Sequence, residues 1–288
     1  MTTILITGAT GFLGEYVIRR LLKSGLEIRA FVRPTSDIAW LSKRDVHLFS
    51  GDLSQDQEMQ SALQGVDLFI NVASLGFGHA PNIVNSLIKS GVRRAVFVSS
   101  TSIFSKLSTR SKATRIQAEL VIAESGLDYT ILRPTMIYGS PRDRNIWRLV
   151  NFINKWPIIP IIGRGDALQQ PVYVDDVAQA IISAAERDLS IGQSYDIAGA
   201  EAISFLDIVN LVAAALGRST NKVHVPYVMA KYASLLLGSI GLGITFEQVL
   251  RFGEEKTFDI SAASRDLGYK PLGFENGLAY EIQWLRKL

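Results

Sequence analysis

The residues Thr7-Gly8-Ala9-Thr10-Gly11-Phe12-Leu13-Gly14 follow directly on the apolar run Ile4-Leu5-Ile6 and open the amphipathic run Phe12 to Lys23. A short apolar strand, a turn dense in glycine and a helix that starts without a break leave little choice of fold. The chain leaves a sheet, reverses sharply and enters a helix whose first N–H groups point back across the turn. Gly8 permits the tight turn, Gly11 lets the backbone approach a pyrophosphate, and Gly14 lets the helix pack close to the strand. The helix N-terminus, with Thr10, Phe12 and Leu13 around it, offers uncapped donors and a partial positive charge to phosphates. The pattern points to a dinucleotide site. A glycine-rich turn with no ligand is the alternative.

Downstream, short apolar runs alternate with helical patterns. Strands are expected at Thr3–Thr7, Glu27–Val32, Val46–Phe49, Leu68–Val72, Ala95–Ser99 and Tyr129–Arg133. Helices are expected at Phe12–Lys23, Gln57–Leu63, Asn82–Lys89 and Arg110–Ser125. This rhythm predicts an α/β fold, a Rossmann-type doubly wound parallel sheet with right-handed crossovers. Ligands of such sheets bind at the carboxyl ends of the strands, near the topological switch point. After Tyr138-Gly139 the rhythm changes. A helix is expected at Asp143–Lys155, broken by Trp156-Pro157-Ile158-Ile159-Pro160, while Val172–Val174 and Ser194–Ile197 are candidates to rejoin the sheet.

The chain has 288 residues, 48% of them hydrophobic, enough for a sizeable core. It has no cysteine, which excludes disulfides, thiolate catalysis and cysteine-ligated metal and accords with a cytoplasmic home. No charged segment followed by an apolar one opens the chain, so no signal peptide is indicated. The formal charge of +3 is spread over scattered Lys and Arg, without the aromatic-interleaved basic stripe that nucleic-acid binding needs. His47, His79 and His224 show no ligand spacing, so no metal is expected. Tyr227 to Ile244 carries Lys231 as its one charge but is short for a bilayer span and is interrupted by Gly238, Gly241 and Gly243. A substrate-lobe helix pair or a homodimer surface is the expectation there, with contact to a hydrophobic substrate or a bilayer surface as the alternative.

The glycine spacing is G-x-x-G-x-x-G. With the motifs that follow, it resembles the short-chain dehydrogenase/reductase superfamily, whose extended and atypical branches (NAD-dependent epimerase/dehydratase-like proteins among them) carry T-G-A-T-G-F-L-G at this place. The resemblance runs nearly the full length. It implies an NAD(P)-binding domain of residues 1–138 plus about 168–199, and a small interleaved C-terminal substrate lobe of about 139–167 plus 200–288. Gly51-Asp52-Leu53 resembles the adenine-contacting G-D-L/V step, with Asp52 as a plain turn or cap residue in the other reading. Val72, Ala73 and Ser74, after Asn71, fall where the family's backbone skirts the adenosine ribose.

An acid at the end of the second strand would select NAD through the ribose hydroxyls. Arg33 stands there instead, and a guanidinium suits a 2′-phosphate, which favours NADP; NAD is the alternative, with Asp37 reaching the ribose.

Val98-Ser99-Ser100-Thr101-Ser102-Ile103-Phe104 resembles the superfamily's V-S-S-x-x-V-Y segment, with Ser100 on the active-site serine and Ser99 beside the cofactor. The next helix should bring Tyr-x-x-x-Lys, in which the tyrosine donates a proton and the lysine lowers its pKa. This sequence departs from that pattern. Aligning Ala118-Glu119 with the usual A-E puts Ser111 on the tyrosine and Arg115 on the lysine. Sliding the register puts Lys112 in reach, with Ser108 before it, and no register supplies a tyrosine. Isoflavone-reductase-like members work with a lysine and no tyrosine.

Leu132-Arg133-Pro134-Thr135-Met136-Ile137-Tyr138-Gly139 resembles the L-R-P-x-x-x-Y-G strand end, with Pro134 and Thr135 against the nicotinamide. Gln170-Pro171-Val172-Tyr173-Val174-Asp175-Asp176-Val177 resembles the H/Y-V-D-D-V segment. Asp175 or Asp176 is expected to cap the helix from Val177. Tyr173 is either a substitute phenol or a core tyrosine. Asp143 and Arg144 either contact an anionic substrate or begin a helix.

Two functions follow from the resemblance. One is an NADP-dependent oxidoreductase or epimerase/dehydratase-like enzyme with a non-standard acid, acting on a small carbonyl compound, sugar-like or hydrophobic. The other is a catalytically silent NADP sensor or respiratory-complex accessory protein. Titration of both cofactors at fixed salt is expected to give tighter binding for the phosphorylated one; tighter binding of NAD would reverse the assignment.

Overall fold

The computed structural model describes residues 2–107, 109–230 and 254–285. Its first strand, β1 (Thr3–Thr7), is buried along its whole length, and the chain passes through the glycine turn into α1 (Phe12–Leu21). There follow β2 (Glu27–Val32), β3 (His47–Ser50), α2 (Asp56–Leu63), β4 (Leu68–Asn71), α3 (Ala80–Ser90), β5 (Arg94–Val98), α4 (Arg110–Ala123) and β6 (Asp128–Pro134). The later elements are β7 (Ile137–Tyr138), α5 (Ile146–Lys155), β8 (Ile158–Ile162), β9 (Leu168–Gln169), β10 (Val172–Tyr173), α6 (Val174–Glu186), β11 (Gln193–Ile197), β12 (Ile203–Ser204), α7 (Phe205–Ala215) and β13 (Asn221–Val225). Two further helices, here α8 (Ser261–Leu267) and α9 (Phe274–Leu285), close the described chain.

Seven strands form one sheet in the order β11-β6-β5-β4-β1-β2-β3, and every neighbouring pair is parallel. The chain starts at β1, builds outward through β2 and β3, then returns to the other side of β1 with β4. The direction of winding therefore reverses between β1 and β4, where a crevice opens at the carboxyl ends. Thr7 and Asn71 sit opposite each other at this point, and the Thr7 hydroxyl donates to Asn71 Oδ1 at 2.7 Å. Both residues are buried, so the bond satisfies polar groups that have no water to turn to.

Both sheet faces are covered, which is why the strands read as near-continuous apolar runs. Ile4 and Ile6 of β1 point to the face carrying α1 and α6, with Val17, Ile18, Val177 and Ile181. Leu5 points to the opposite face, with Phe69, Phe97, Ile83, Leu87 and Ile122. A third apolar cluster lies outside these layers. It joins Tyr138, Ile146, Val150, Ile159, Ile208, Val212, Phe274 and Leu278.

The expected sheet elements are present, and β1 and β2 have the bounds expected of them. Three details differ. Val172-Tyr173 pairs with β7 in a separate two-stranded sheet, while 193–197 joins the large sheet beside β6. Helix α5 begins at Ile146, because Asp143 is used before it: its Oδ1 accepts the Asn145 and Trp147 amides at 2.7 and 3.3 Å. Asp175 and Asp176 do not cap the following helix, which already starts at Val174. Asp175 instead pairs with Arg20 of α1 at 2.8 Å, and Asp176 accepts the Leu272 amide at 2.8 Å. Among the described residues no helix is long and apolar enough to cross a membrane. The expectation placed on Tyr227 to Ile244 lies outside the described residues from 231 onward.

Glu281 of α9 is fully buried, and neither of its oxygens makes a well-aligned hydrogen bond. Burial, reinforced by the Asp143 carboxylate beside it, pushes its pKa up to about 10. The folded chain therefore holds a proton that the unfolded chain releases near the ordinary value of 4.5. Between those values the unfolded state binds fewer protons, so this group makes stability fall as pH rises. Thermal melts of the wild-type protein from pH 5 to 9 are expected to show that decline, and Glu281→Gln is expected to flatten it. Equal slopes for the two proteins would contradict the assignment.

Candidate functional site

The glycine turn is built by contact. Gly8 has φ +70°, and a Cβ there would meet the Ala73 nitrogen at 2.6 Å, so the turn lies against the chain leaving β4. A Cβ on Gly14 would meet the Gly8 carbonyl oxygen at 2.1 Å. Only a helix without a side chain at that point can come this close to the turn. Gly11 is exposed, its amide donates to Gly8 O at 2.9 Å, and its carbonyl accepts from Glu15 at 3.1 Å. No side chain caps α1. The Phe12 and Leu13 amides precede the first intrahelical donor, the Glu15 amide, and are available to an anion at the mouth. The Leu13 side chain anchors the turn in the core, and the Phe12 ring packs edge-on against Tyr16.

On one side of the crevice lie Arg33, Asp52, Leu53 and the chain after β4. Arg33 is exposed in the loop after β2. Asp52 forms a turn with its own neighbour, since its Oδ1 accepts the Ser54 amide at 2.8 Å and the Ser54 hydroxyl at 2.6 Å. Those bonds lower its pKa, with smaller help from His79 and Arg33 nearby. The turn-residue geometry weighed from sequence is thus present, whatever else Asp52 does. Leu53 packs against the second core, and its carbonyl accepts from Asn82 Nδ2. Val72 and Ala73 lie against the glycine turn. Asn71 Nδ2 donates to Ala73 O at 2.8 Å, which fixes this backbone. Asp37, the alternative ribose partner, is exposed and accepts the Ala39 amide.

On the other side lie the loop after β5 and the start of α4. Ser100 Oγ accepts the Ser102 amide at 3.2 Å. Ser99 Oγ donates to Glu119, a buried carboxylate that also holds Arg133 at 2.6 Å. Lys112 stands in the first turn of α4, where Thr109 Oγ1 accepts its amide, and its ammonium donates to Ser105 O at 2.5 Å. Arg115, one turn later, faces away from that loop. Its guanidinium covers Gly76 and donates to Ser74 Oγ at 3.3 Å. Ser111 is exposed, its hydroxyl 3.3 Å from that of Thr109. The two candidate cations therefore serve different loops: Lys112 the one after β5, Arg115 the one after β4.

Pro134 ends β6 and Thr135 follows it. Pro134 O accepts from Thr101, and the Thr135 hydroxyl donates to Gln170 O at 2.5 Å. Tyr173 stacks on Tyr280 with ring centroids 5.6 Å apart and meets Tyr138 edge-on. A Cβ on Gly139 would strike its ring at 2.6 Å. Burial and the nearby Tyr16 and Asp175 push the Tyr173 phenol above its ordinary range, making it a weaker acid than a free tyrosine. That favours the core-tyrosine alternative over a substitute phenol. Two contributors went unrecognised in the sequence. Glu254 accepts from Ser105 Oγ at 2.8 Å and the Lys106 amide at 2.5 Å, pinning the loop that holds Lys112. Arg142 reaches Thr10 O at 2.6 Å and Glu15 at 2.7 Å. Their separations in sequence carried no motif. Among the described residues no cluster of three His, Cys, Asp or Glu side chains is placed to hold a metal.

Residues 8–188, well over half the chain, match the family described as NAD(P)H-binding, and the chain belongs to that family. The resemblance to short-chain dehydrogenase/reductases drawn from the motifs is borne out at this level. A 3β-hydroxysteroid dehydrogenase/Δ5→4-isomerase of Mycobacterium tuberculosis is 23% identical over 93% of this chain and 86% of its own. The mitochondrial NADH dehydrogenase [ubiquinone] 1 alpha subcomplex subunit 9 of Arabidopsis thaliana is 27% identical over 78% of this chain, which spans 61% of that protein. Among solved structures, the UDP-glucuronic acid 4-epimerase of Bacillus cereus in complex with NAD superposes with a TM-score of 0.79 at 20% identity, covering 99% of both chains.

Gly14→Ala and Gly11→Ala separate packing from binding. The first forces a clash with backbone and is expected to cost about 2–3 kcal/mol of stability, the upper part of the range for overpacking a packed site. The second meets only Gly8 O at 3.0 Å. It is expected to cost about 1 kcal/mol, as alanine does at a helix N-cap, yet to lose most dinucleotide binding. Denaturant midpoints and cofactor titrations check both.

Proposed function

We propose that the chain is an NADP-dependent oxidoreductase acting on a carbonyl or alcohol carbon of a small, predominantly apolar molecule. The dinucleotide, when bound, supplies or accepts a hydride at nicotinamide C4. The chain's own residues do the rest. The amides at the start of α1 hold the diphosphate. Arg33 pairs with the 2′-phosphate. Ser100 donates a hydrogen bond to the substrate oxygen, and Lys112 delivers or removes its proton. In this account residues 139–167 and 200–288 form the substrate lobe, built on the third apolar cluster.

The observation that carries the assignment is the position of Lys112. It is an ammonium in the first turn of α4, held on Ser105 O in the same loop as Ser100. A lysine there supplies a movable proton where the superfamily's usual tyrosine is missing, whereas Arg115 is fully committed to charge. Exposed rings support an apolar substrate. Phe77 is 72% exposed, and Phe104 is 52% exposed beside Phe258. The relative described as a steroid dehydrogenase acts on a molecule of that character.

A second function has its own support. Ser111 and Arg115 occupy the places of the usual dyad, Arg115 is tied to the Ser74 loop, and one relative is a subunit of a respiratory complex. This favours a catalytically silent NADP-binding protein.

Pure protein mixed with NADPH and a panel of aldehydes, ketones and quinones distinguishes the two. Turnover is expected with apolar carbonyl compounds. Lys112→Ala is expected to lower kcat at least 100-fold, the low end of what general acid catalysis contributes, with cofactor affinity retained. Tight NADPH binding without turnover on any member would favour the silent protein.

A further inference from the structure

The loop after β7 is fixed at its base and carries one cation to the glycine turn. The Arg142 amide donates to Ser140 Oγ at 3.2 Å, and the Asp143 amide to Ser140 O at 3.0 Å. Ser140 and Asp143 are buried, and Tyr16 of α1 donates its hydroxyl to Gly139 O at 3.5 Å. The Arg142 head is about half exposed and spans the turn. One nitrogen meets Thr10 O at 2.6 Å, the other Glu15 Oε2 at 2.7 Å. Glu15 lies in the first turn of α1, where a carboxylate opposes any anion at the mouth, and its other oxygen is held by Arg19 at 2.7 Å.

We infer that Arg142 is a cofactor-binding residue, its guanidinium shared between Glu15 and the dinucleotide diphosphate. The inference rests on the glycine turn being the diphosphate site. A guanidinium already bonded to the Thr10 carbonyl stands one residue from Gly11, where the backbone is open to a phosphate. Its planar fork bonds phosphate oxygens as readily as carboxylate oxygens. Glu15 is then its rival partner: it keeps Arg142 at the turn in the free protein and competes with the diphosphate for it. Because the same loop leads directly into α5, cofactor occupancy would be felt at the start of that helix.

Two substitutions and their combination test this, with NADPH and ADP-ribose as probes; the second keeps the diphosphate and lacks nicotinamide. Arg142→Gln is expected to weaken both probes roughly five- to tenfold, the size of one charge-assisted hydrogen bond at a half-exposed site. Glu15→Gln is expected to tighten both by a few-fold. The double variant decides the mechanism. If Arg142 touches the diphosphate, Arg142→Gln weakens binding on the Glu15→Gln background as well. If Arg142 merely neutralises Glu15, Arg142→Gln leaves the affinity of the Glu15→Gln background unchanged and the inference is overturned. Unchanged affinity in Arg142→Gln, with melting temperature retained, overturns it too. Wild-type protein that binds neither probe defeats the dinucleotide assignment itself, an outcome distinct from both.

Discussion

The close approach of α1 to the end of β1 is the contact on which the rest of the structure depends. A methyl group at Gly14 would sit 2.1 Å from the Gly8 carbonyl, and one at Gly8 would sit 2.6 Å from the Ala73 nitrogen. Removing both side chains brings three pieces of backbone together at the point where the sheet reverses its winding. The Thr7–Asn71 bond locks the two strand ends that border this point. The open amides of α1 and the Arg142 head lie at that junction. The crevice is thus a product of backbone packing first and of side-chain chemistry second.

Across the sheet, α4 carries the two candidate cations, Lys112 and Arg115. Its fold position is fixed by Ala118 and Ile122 in the core and by buried Glu119, which ties Ser99 of the strand end to Arg133 of β6. This ion pair and hydrogen bond tie the body of the helix to the ends of β5 and β6. Within that frame a lysine in the first turn and an arginine one turn later face different loops. The geometry places one cation at the loop after β5 and the other at the loop after β4. The half-buried Tyr173 belongs to an aromatic stack on another element.

Local order was legible in the sequence wherever a periodic pattern or a glycine requirement carried it. Ile4-Leu5-Ile6 and the turn after it announced the strand, the helix and the parallel sheet. What could not be read were choices made between partners far apart in sequence. Asp175 looked like a helix cap because acids commonly serve there, but Arg20 lay across the interface and took the carboxylate. Val172 looked like a return to the main sheet, yet its pairing partner was Ile137. Arg142 and Glu254 carried no motif at all, since each acts through a contact more than a hundred residues away. Periodicity reports which face is buried; it does not report which charge meets which.

The most direct measurement is amide chemical shift mapping of isotopically labelled protein during titration with a nicotinamide dinucleotide. Diphosphate capture by the helix mouth is expected to move the Gly11, Phe12 and Leu13 resonances first and furthest, saturating along one binding curve. Shifts confined to other parts of the chain, with these three amides unmoved at saturation, would contradict the account.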